Sequence, residues 1–224
     1  MKTLTSRFPT RIHRLEVAGE TIDLVAPVDP DALLDDPVVE QRYKADNYLP
    51  YWPIIWPSGL MLAEKILQGE SPRPVPTKAI DLGCGLGTTG IAAGKRGWEI
   101  LLTDYDPEAI DFAVHNAIKN GVPAERVRGL HMDWRQPVDE KFDWVLASDV
   151  LYERRLHPLL LSAVAALLAP GGEAWVSDPQ RTSAEDFPLA AVEHGFKCRC
   201  VPLRGKNFAG GEQPGNLYVL TRAR

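Results

Sequence analysis

Cysteine is scarce in this chain, with three residues in 224, at positions 84, 198 and 200. So sparse and odd a set builds no disulfide framework. Cys198 and Cys200 lie two apart on a strand-like stretch, but no second ligand pair accompanies them as a zinc site would require. The thiols are expected to be reduced core residues, and no metal is expected. Long apolar runs are missing too: none approaches the roughly 20 residues that cross a bilayer. The start, Met1-Lys2-Thr3-Leu4-Thr5-Ser6-Arg7, lacks the apolar segment of a secretory signal. A cytoplasmic protein with no membrane partner is therefore expected. Positive charge is in deficit as well. The net charge of −5 argues against a nucleic-acid partner, whose phosphates need a basic footprint. The charge is unevenly spread: from Gly195 onward six basic residues face only Glu212, so that end is +5 and the remainder −10. A solvated strand edge explains this better than a site for an acidic partner. His115, His131, His157 and His194 have no metal-ligand spacing.

What is present describes an ordinary globular chain. Hydrophobic residues make up 45% and charged residues 25%, and the length suits one sizeable core. The centre of the pattern is Lys78 to Asp104. Ala79, Ile80 and Leu82 form a short apolar run of the kind that makes a strand buried on both faces. Gly83, Gly85, Gly87 and Gly90 follow at once, where the backbone must turn tightly and approach a ligand closely. Thr88 to Arg96 reads as a helix and Glu99 to Thr103 as the next parallel strand. The unit is β-α-β with a nucleotide site at its mouth.

Gly85, Gly87 and Gly90, with Asp104 about 20 residues on, satisfy the dinucleotide pattern, so NAD is one reading. Asp81 speaks against it. A carboxylate just before the glycines would repel a pyrophosphate at the helix N-terminus. S-adenosylmethionine (SAM) brings an ammonium and a sulfonium instead, both attracted to a carboxylate, and Asp104 can accept both ribose hydroxyls. SAM is the favoured cofactor.

Before this core, Arg11 to Val25 reads as a hairpin turning at Ala18-Gly19-Glu20. Asp29 to Glu40, with prolines at 27, 30 and 37, favours loop and short helical turns over a long helix. Tyr48 to Gly59 packs four aromatics and three prolines into twelve residues. Those aromatics either plug the core or wall the pocket. Ser58 is the expected N-cap of a helix over Leu60–Leu67, and proline-rich Ser71 to Thr77 ends it. After Asp104, Asp106-Pro107 caps a helix from Glu108 to about Asn120. Strands are expected at Val127–Met132, Phe142–Ser148, Glu173–Ser177, Phe196–Leu203 and Leu217–Thr221. Helices are expected at His157–Leu168, stopped by Pro170-Gly171-Gly172, and at Ser183–His194. The loop Gly205–Gly215 has no helix, so a final antiparallel hairpin closes the sheet. The fold class is α/β, a Rossmann-like, mostly parallel seven-stranded sheet with that C-terminal hairpin. An N-terminal extension over residues 1–54, a hairpin and possible lid, precedes a catalytic domain over 55–224.

Asp81-Leu82-Gly83-Cys84-Gly85-Leu86-Gly87 resembles the first motif of the seven-strand class I SAM-dependent methyltransferases. The resemblance runs from about residue 55 to the end and is specific for cofactor. Ile55-Trp56-Pro57-Ser58-Gly59, Asp133-Trp134 and Ser148-Asp149-Val150-Leu151-Tyr152 sharpen it. Together they are similar to the protein-lysine methyltransferases marked by an Asp-x-x-Tyr motif, and Asp178-Pro179-Gln180-Arg181 resembles a loop of the members that modify the electron-transfer flavoprotein β-subunit. The resemblance implies a monomer that methylates an amine, a lysine of a protein substrate, with a small metabolite amine or non-catalytic SAM binding as alternatives. Carried over by position, the cofactor contacts fall on Trp56, Gly83, Gly85, Asp104, Trp134 and Ser148, beside Asp81 and Gly87. Trp134 can lie flat on the adenine and Asp133 can accept from its amine. Asp149 and Tyr152 form the catalytic neighbourhood: Asp149 captures and aims the ammonium, and Tyr152 fixes the stem or donates to Asp149. The competing reading makes Asp149 a cap of the following helix and Tyr152 a core residue. Asn-Pro-Pro-Tyr, the signature for amide and nucleobase amines, is absent.

Overall fold

The computed structural model describes residue 4 and residues 7–69, 77–206 and 210–223. Strands β1 (Thr10–Val17) and β2 (Glu20–Pro27) form an antiparallel hairpin. Ala18 and Gly19 both take positive φ, 53° and 79°, as a tight two-residue hairpin turn requires. The outer edge of β2 is covered without another strand. Asn116 in α4 (Pro107–Lys119) and Asn120, its C-cap, lie one turn apart and exchange hydrogen bonds with the backbone of Val25 and Asp23, at 2.8–3.1 Å. Asn116 also donates to Leu86 O at 3.0 Å, which ties the hairpin to the glycine loop.

The central sheet is built from β3 (Lys78–Leu82), β4 (Glu99–Asp104), β5 (Val127–His131), β6 (Phe142–Ser148), β7 (Leu168–Asp178), β8 (Phe196–Lys206) and β9 (Glu212–Arg222), in the order β5–β4–β3–β6–β7–β9–β8. β9 alone runs opposite to the other six strands. Alternate residues of each strand face opposite layers. Ala79, Ile100, Leu102 and Leu146 pack with α4, α2 (Pro57–Leu67) and α3 (Thr88–Lys95). Ile80, Leu82, Val145 and Ala147 pack with α5 (His157–Leu167) and α6 (Phe187–Glu193). Burial on both faces is why these strands read as continuous apolar runs. Among the described residues, no helix is long and apolar enough to cross a membrane.

Several local expectations are corrected. The acidic stretch Asp29–Glu40 has the expected short helical turn, at Asp31–Leu33, but its last proline opens a ten-residue helix, α1 (Pro37–Asp46), that runs on beyond it: Pro37 occupies the first turn and the Asp36 side chain accepts from Val38 N, a combination that starts a helix rather than interrupting one. Ser58 is not the N-cap of α2. Trp56 holds that position without a side-chain bond, and Ser58 lies buried inside the helix. The Pro170-Gly171-Gly172 segment does not end in a loop; β7 runs through it, with a register shift opposite Phe142/Trp144. The last helix is shorter than expected, because a 3-10 turn at Thr182–Ala184 precedes α6. Strands β8 and β9 extend until Lys206 pairs with Glu212, which consumes most of the expected loop. Of the thiols only Cys84 is buried, and Cys200 is exposed. The linker expected over Ser71–Thr77 lies outside the described residues except for Thr77.

Candidate active site

The carboxyl ends of β3, β4, β5 and β6 open into a cavity of about 540 Å³, within the range of small-molecule sites. Its floor is the glycine loop and its roof is the segment Asp46–Trp56. Trp56, Gly83, Gly85, Asp104, Asp133, Trp134, Ser148, Asp149 and Tyr152 all line it. Two of the expected cofactor residues do not. Gly87 faces α4: at φ +85°, a Cβ there would come within 3.0 Å of Ala113, so this glycine serves loop packing. Asp81 lies beneath the floor, 1% exposed, with Oδ2 accepting from Gly90 N at 3.0 Å and Oδ1 unpartnered. Burial pushes its carboxyl up to about 7, partly offset by the Gly90 N–H. Its influence on a ligand is through charge rather than contact.

Asp104 ends β4 where strand-end side chains point into the cleft. Its Oδ2 accepts from Gly85 N at 2.9 Å and its Oδ1 from Asp106 N at 3.0 Å. Burial raises its pKa to about 6, against the lowering effect of those N–H groups. Of the other lining acids, Asp133, Asp149 and Glu153 each face an arginine, namely Arg135, Arg181 and Arg155, while Asp46 accepts from the Tyr105 hydroxyl at 2.7 Å. Asp133 accepts from Arg135 Nε at 2.8 Å and is held below its usual range by it.

The aromatic-proline segment divides its work. Trp52 is buried, with its ring 5.0 Å from Phe112, and plugs the core. Trp56 walls the cavity, and its Nε1 donates to Tyr51 O at 3.0 Å. Tyr51, one of the four aromatics of that stretch but not singled out among the expected site residues, is the hub of this wall: its ring lies 6.1 Å from Trp56 and 5.3 Å from Tyr152, edge-on to both. Its membership of an aromatic, proline-stiffened stretch was the available signal.

Asp149 is 6% exposed and adopts φ +59°. Its Oδ2 accepts from Ser58 N at 2.9 Å and Ser58 Oγ at 2.5 Å; its Oδ1 accepts from Arg181 Nη1. The Tyr152 hydroxyl donates to neither oxygen among the described residues, so that expected bond is replaced by Ser58 and Arg181. Asp149 caps a helix, but it is α2, far earlier in the chain, rather than the helix that follows.

The cavity fits a compact cationic cofactor. At Gly83, φ +69°, a Cβ would lie 3.1 Å from Val150 Cγ1 and 3.6 Å from the Trp134 ring; only a bare backbone leaves room for a ligand between loop and indole. Buried Asp81 and Asp104 favour positive charge there and oppose a pyrophosphate. Fold and site together define a class I SAM-dependent methyltransferase. Residues 52–193 match the family model described as lysine methyltransferase, and the chain belongs to that family. It is 26% identical over 160 residues to the human histone-arginine methyltransferase METTL23, covering 69% of this chain and 83% of that protein. It is 27% identical over 194 residues to the calmodulin-lysine N-methyltransferase of Arabidopsis thaliana, covering 81% and 63%. In structure it resembles the N-methyltransferase NodS of Bradyrhizobium japonicum in complex with S-adenosyl-l-homocysteine, with TM-score 0.58, 17% identity, and 89% and 94% covered.

Proposed function

We propose that the acceptor is a lysine side chain of a protein, captured at Asp149 and walled by Trp56, Tyr51 and Tyr152. The observation that carries this reading is that a buried carboxylate and three aromatic rings line the same cavity, with the guanidinium held by Asp149 lying 5.5 Å from the Trp56 ring centroid. When bound, SAM supplies an electrophilic methyl group on a sulfonium. Asp104 would accept the ribose hydroxyls, Gly83 and Gly85 would let the backbone approach, and Trp134 and Ser148 would hold the adenine end. Trp56 excludes water from the reacting end.

Lysine has a pKa near 10.4 and must shed a proton before it attacks. Asp149 already accepts three hydrogen bonds, so it aims the ammonium and is a poor base. The proton leaves to water at the mouth, where Tyr51 and Tyr152 are each 38% exposed. Fixing nitrogen and methyl in line then accounts for much of the rate. Of the extension over residues 1–54, the part from Asp46 to Ile54 roofs the cavity, and the extension is the natural place for choosing the protein acceptor, as a module added to the catalytic domain over 55–224. An arginine acceptor is the second reading, favoured by the guanidinium that Asp149 already holds. Incubation with methyl-labelled SAM and whole-cell lysate, followed by gel separation and amino-acid analysis of labelled bands, tests both. Label in methyllysine is expected. Label in methylarginine would select the second reading, and label confined to small molecules would sink both.

A further inference from the structure

Arg181 stands where an acceptor cation must go. Its Nη1 donates to Asp149 Oδ1 and, at 3.2 Å, to Asp178 Oδ2. Its guanidinium lies 5.5 Å from the centroid of the Trp56 ring, within cation–π range. Both acceptor positions of Asp149 Oδ2 are taken by Ser58, so Oδ1 is the oxygen left for an incoming ammonium. Arg181 holds it.

The geometry points to Arg181 as a displaceable internal plug of the acceptor subsite, one that gives way only to another cation. This rests on the reading of Asp149 as the ammonium-capturing group. Three features make Arg181 able to leave. Its side chain is 25% exposed, so water can receive the guanidinium, whereas the two carboxylates are 3% and 0% exposed and stay put. Asp178 offers a second partner, so the charge is not stranded on departure. Arg181 also sits on a turn rather than in a helix or strand: its own N–H is anchored to Asp178 Oδ1 at 2.7 Å, and Gln180 before it has φ +62°. A backbone held in place leaves a side chain free to swing. An acceptor ammonium would replace the guanidinium on Asp149 and against Trp56, with Arg181 drawn back to Asp178. A neutral side chain offers Asp149 nothing in exchange and would leave a buried carboxylate unpaired, which is costly. The plug therefore selects for cationic acceptors and lowers their apparent affinity by the fraction of time it is in place.

The test uses n-butylammonium, which has the stem and headgroup of a lysine side chain. It is titrated by calorimetry into the full-length protein saturated with S-adenosylhomocysteine. If the vacated state is a tenth of the population or less, Arg181→Ala should bind n-butylammonium about tenfold tighter than the wild type, or more. Methylguanidinium should compete with it in that variant. Arg181→Lys, which keeps a cation but loses the two-pronged reach, should fall between, and it decides the matter alone if Arg181→Ala no longer binds S-adenosylhomocysteine. Equal or weaker n-butylammonium binding in the variants, with S-adenosylhomocysteine affinity kept, would overturn the plug and make Arg181 a fixed brace for Asp149. Absence of n-butylammonium binding from every form would remove the capture reading together with the plug.

Discussion

Asp149 and Ser58, 91 residues apart, close the N-terminus of α2 together: the carboxylate accepts the Ser58 backbone N–H at 2.9 Å and its hydroxyl at 2.5 Å. A helix N-terminus favours a negative group, so the residue proposed to aim the acceptor also fixes the helix that begins just after Trp56. Asp149→Asn should therefore change two measurements. Stability should fall by about 1–3 kcal/mol, less than the ~3–5 of a broken fully buried pair, because Arg181 is partly exposed and keeps Asp178. Methyl transfer should fall at least about tenfold beyond any change in SAM affinity. Denaturation in urea with a labelled-methyl assay reads both, and unchanged turnover would reduce Asp149 to a cap.

The two tryptophans four residues apart should part company. Trp52→Ala empties a site packed on Phe112 and should cost about 3–5 kcal/mol of stability. Trp56→Ala should leave stability nearly unchanged and weaken SAM or acceptor binding by about 0.5–1.5 kcal/mol, the value of an aromatic contact beyond its area. Thermal melts and calorimetry on the pair check this; equal destabilisation would return Trp56 to the core.

Asn116 holds three backbone groups, Val25 N, Val25 O and Leu86 O. Asn116→Ala leaves them buried without that partner and should cost at least about 1–3 kcal/mol. Because Leu86 belongs to the glycine loop, SAM affinity should drop as well. A melt that shifts while SAM affinity holds would confine Asn116 to the hairpin.

The Asp104 carboxyl, raised to about 6, should make cofactor binding pH-dependent if it holds the ribose as proposed. A cationic ligand favours the ionised form, so binding lowers this pKa and expels a proton. SAM affinity should rise with pH through about 6 and more weakly through about 7, where Asp81 beneath the floor ionises. Calorimetry near pH 6 in two buffers of different ionisation enthalpy should show proton release, and Asp104→Asn should reduce it to the part that Asp81 contributes. In the ligand-free protein the sign is opposite: the stability contributed by the neutral carboxyl is full below about 3.8 and is lost as pH rises through about 6.

Much of this protein was legible in local sequence. The run Ala79–Leu82 followed by glycines, the Asp106 cap over Pro107 and the strand Phe142–Ser148 each depend on a few adjacent residues, and each stands where the sequence placed it. Strand ends fared worse: β8 and β9 lengthen only because each finds the other as partner, and a ladder is not a property of either segment alone. The same reason separates the site's residues. Spacing marks Asp104 and Asp149 as strand-end carboxylates, but it does not say that Asp81 lies under the floor or that Gly87 packs on α4. Nor does it say that Ser58 and Arg181 are the hydrogen-bond donors to Asp149. Those outcomes are decided by which distant segments are pressed together when the sheet closes, since a buried carboxylate takes whatever donors packing brings within about 3 Å.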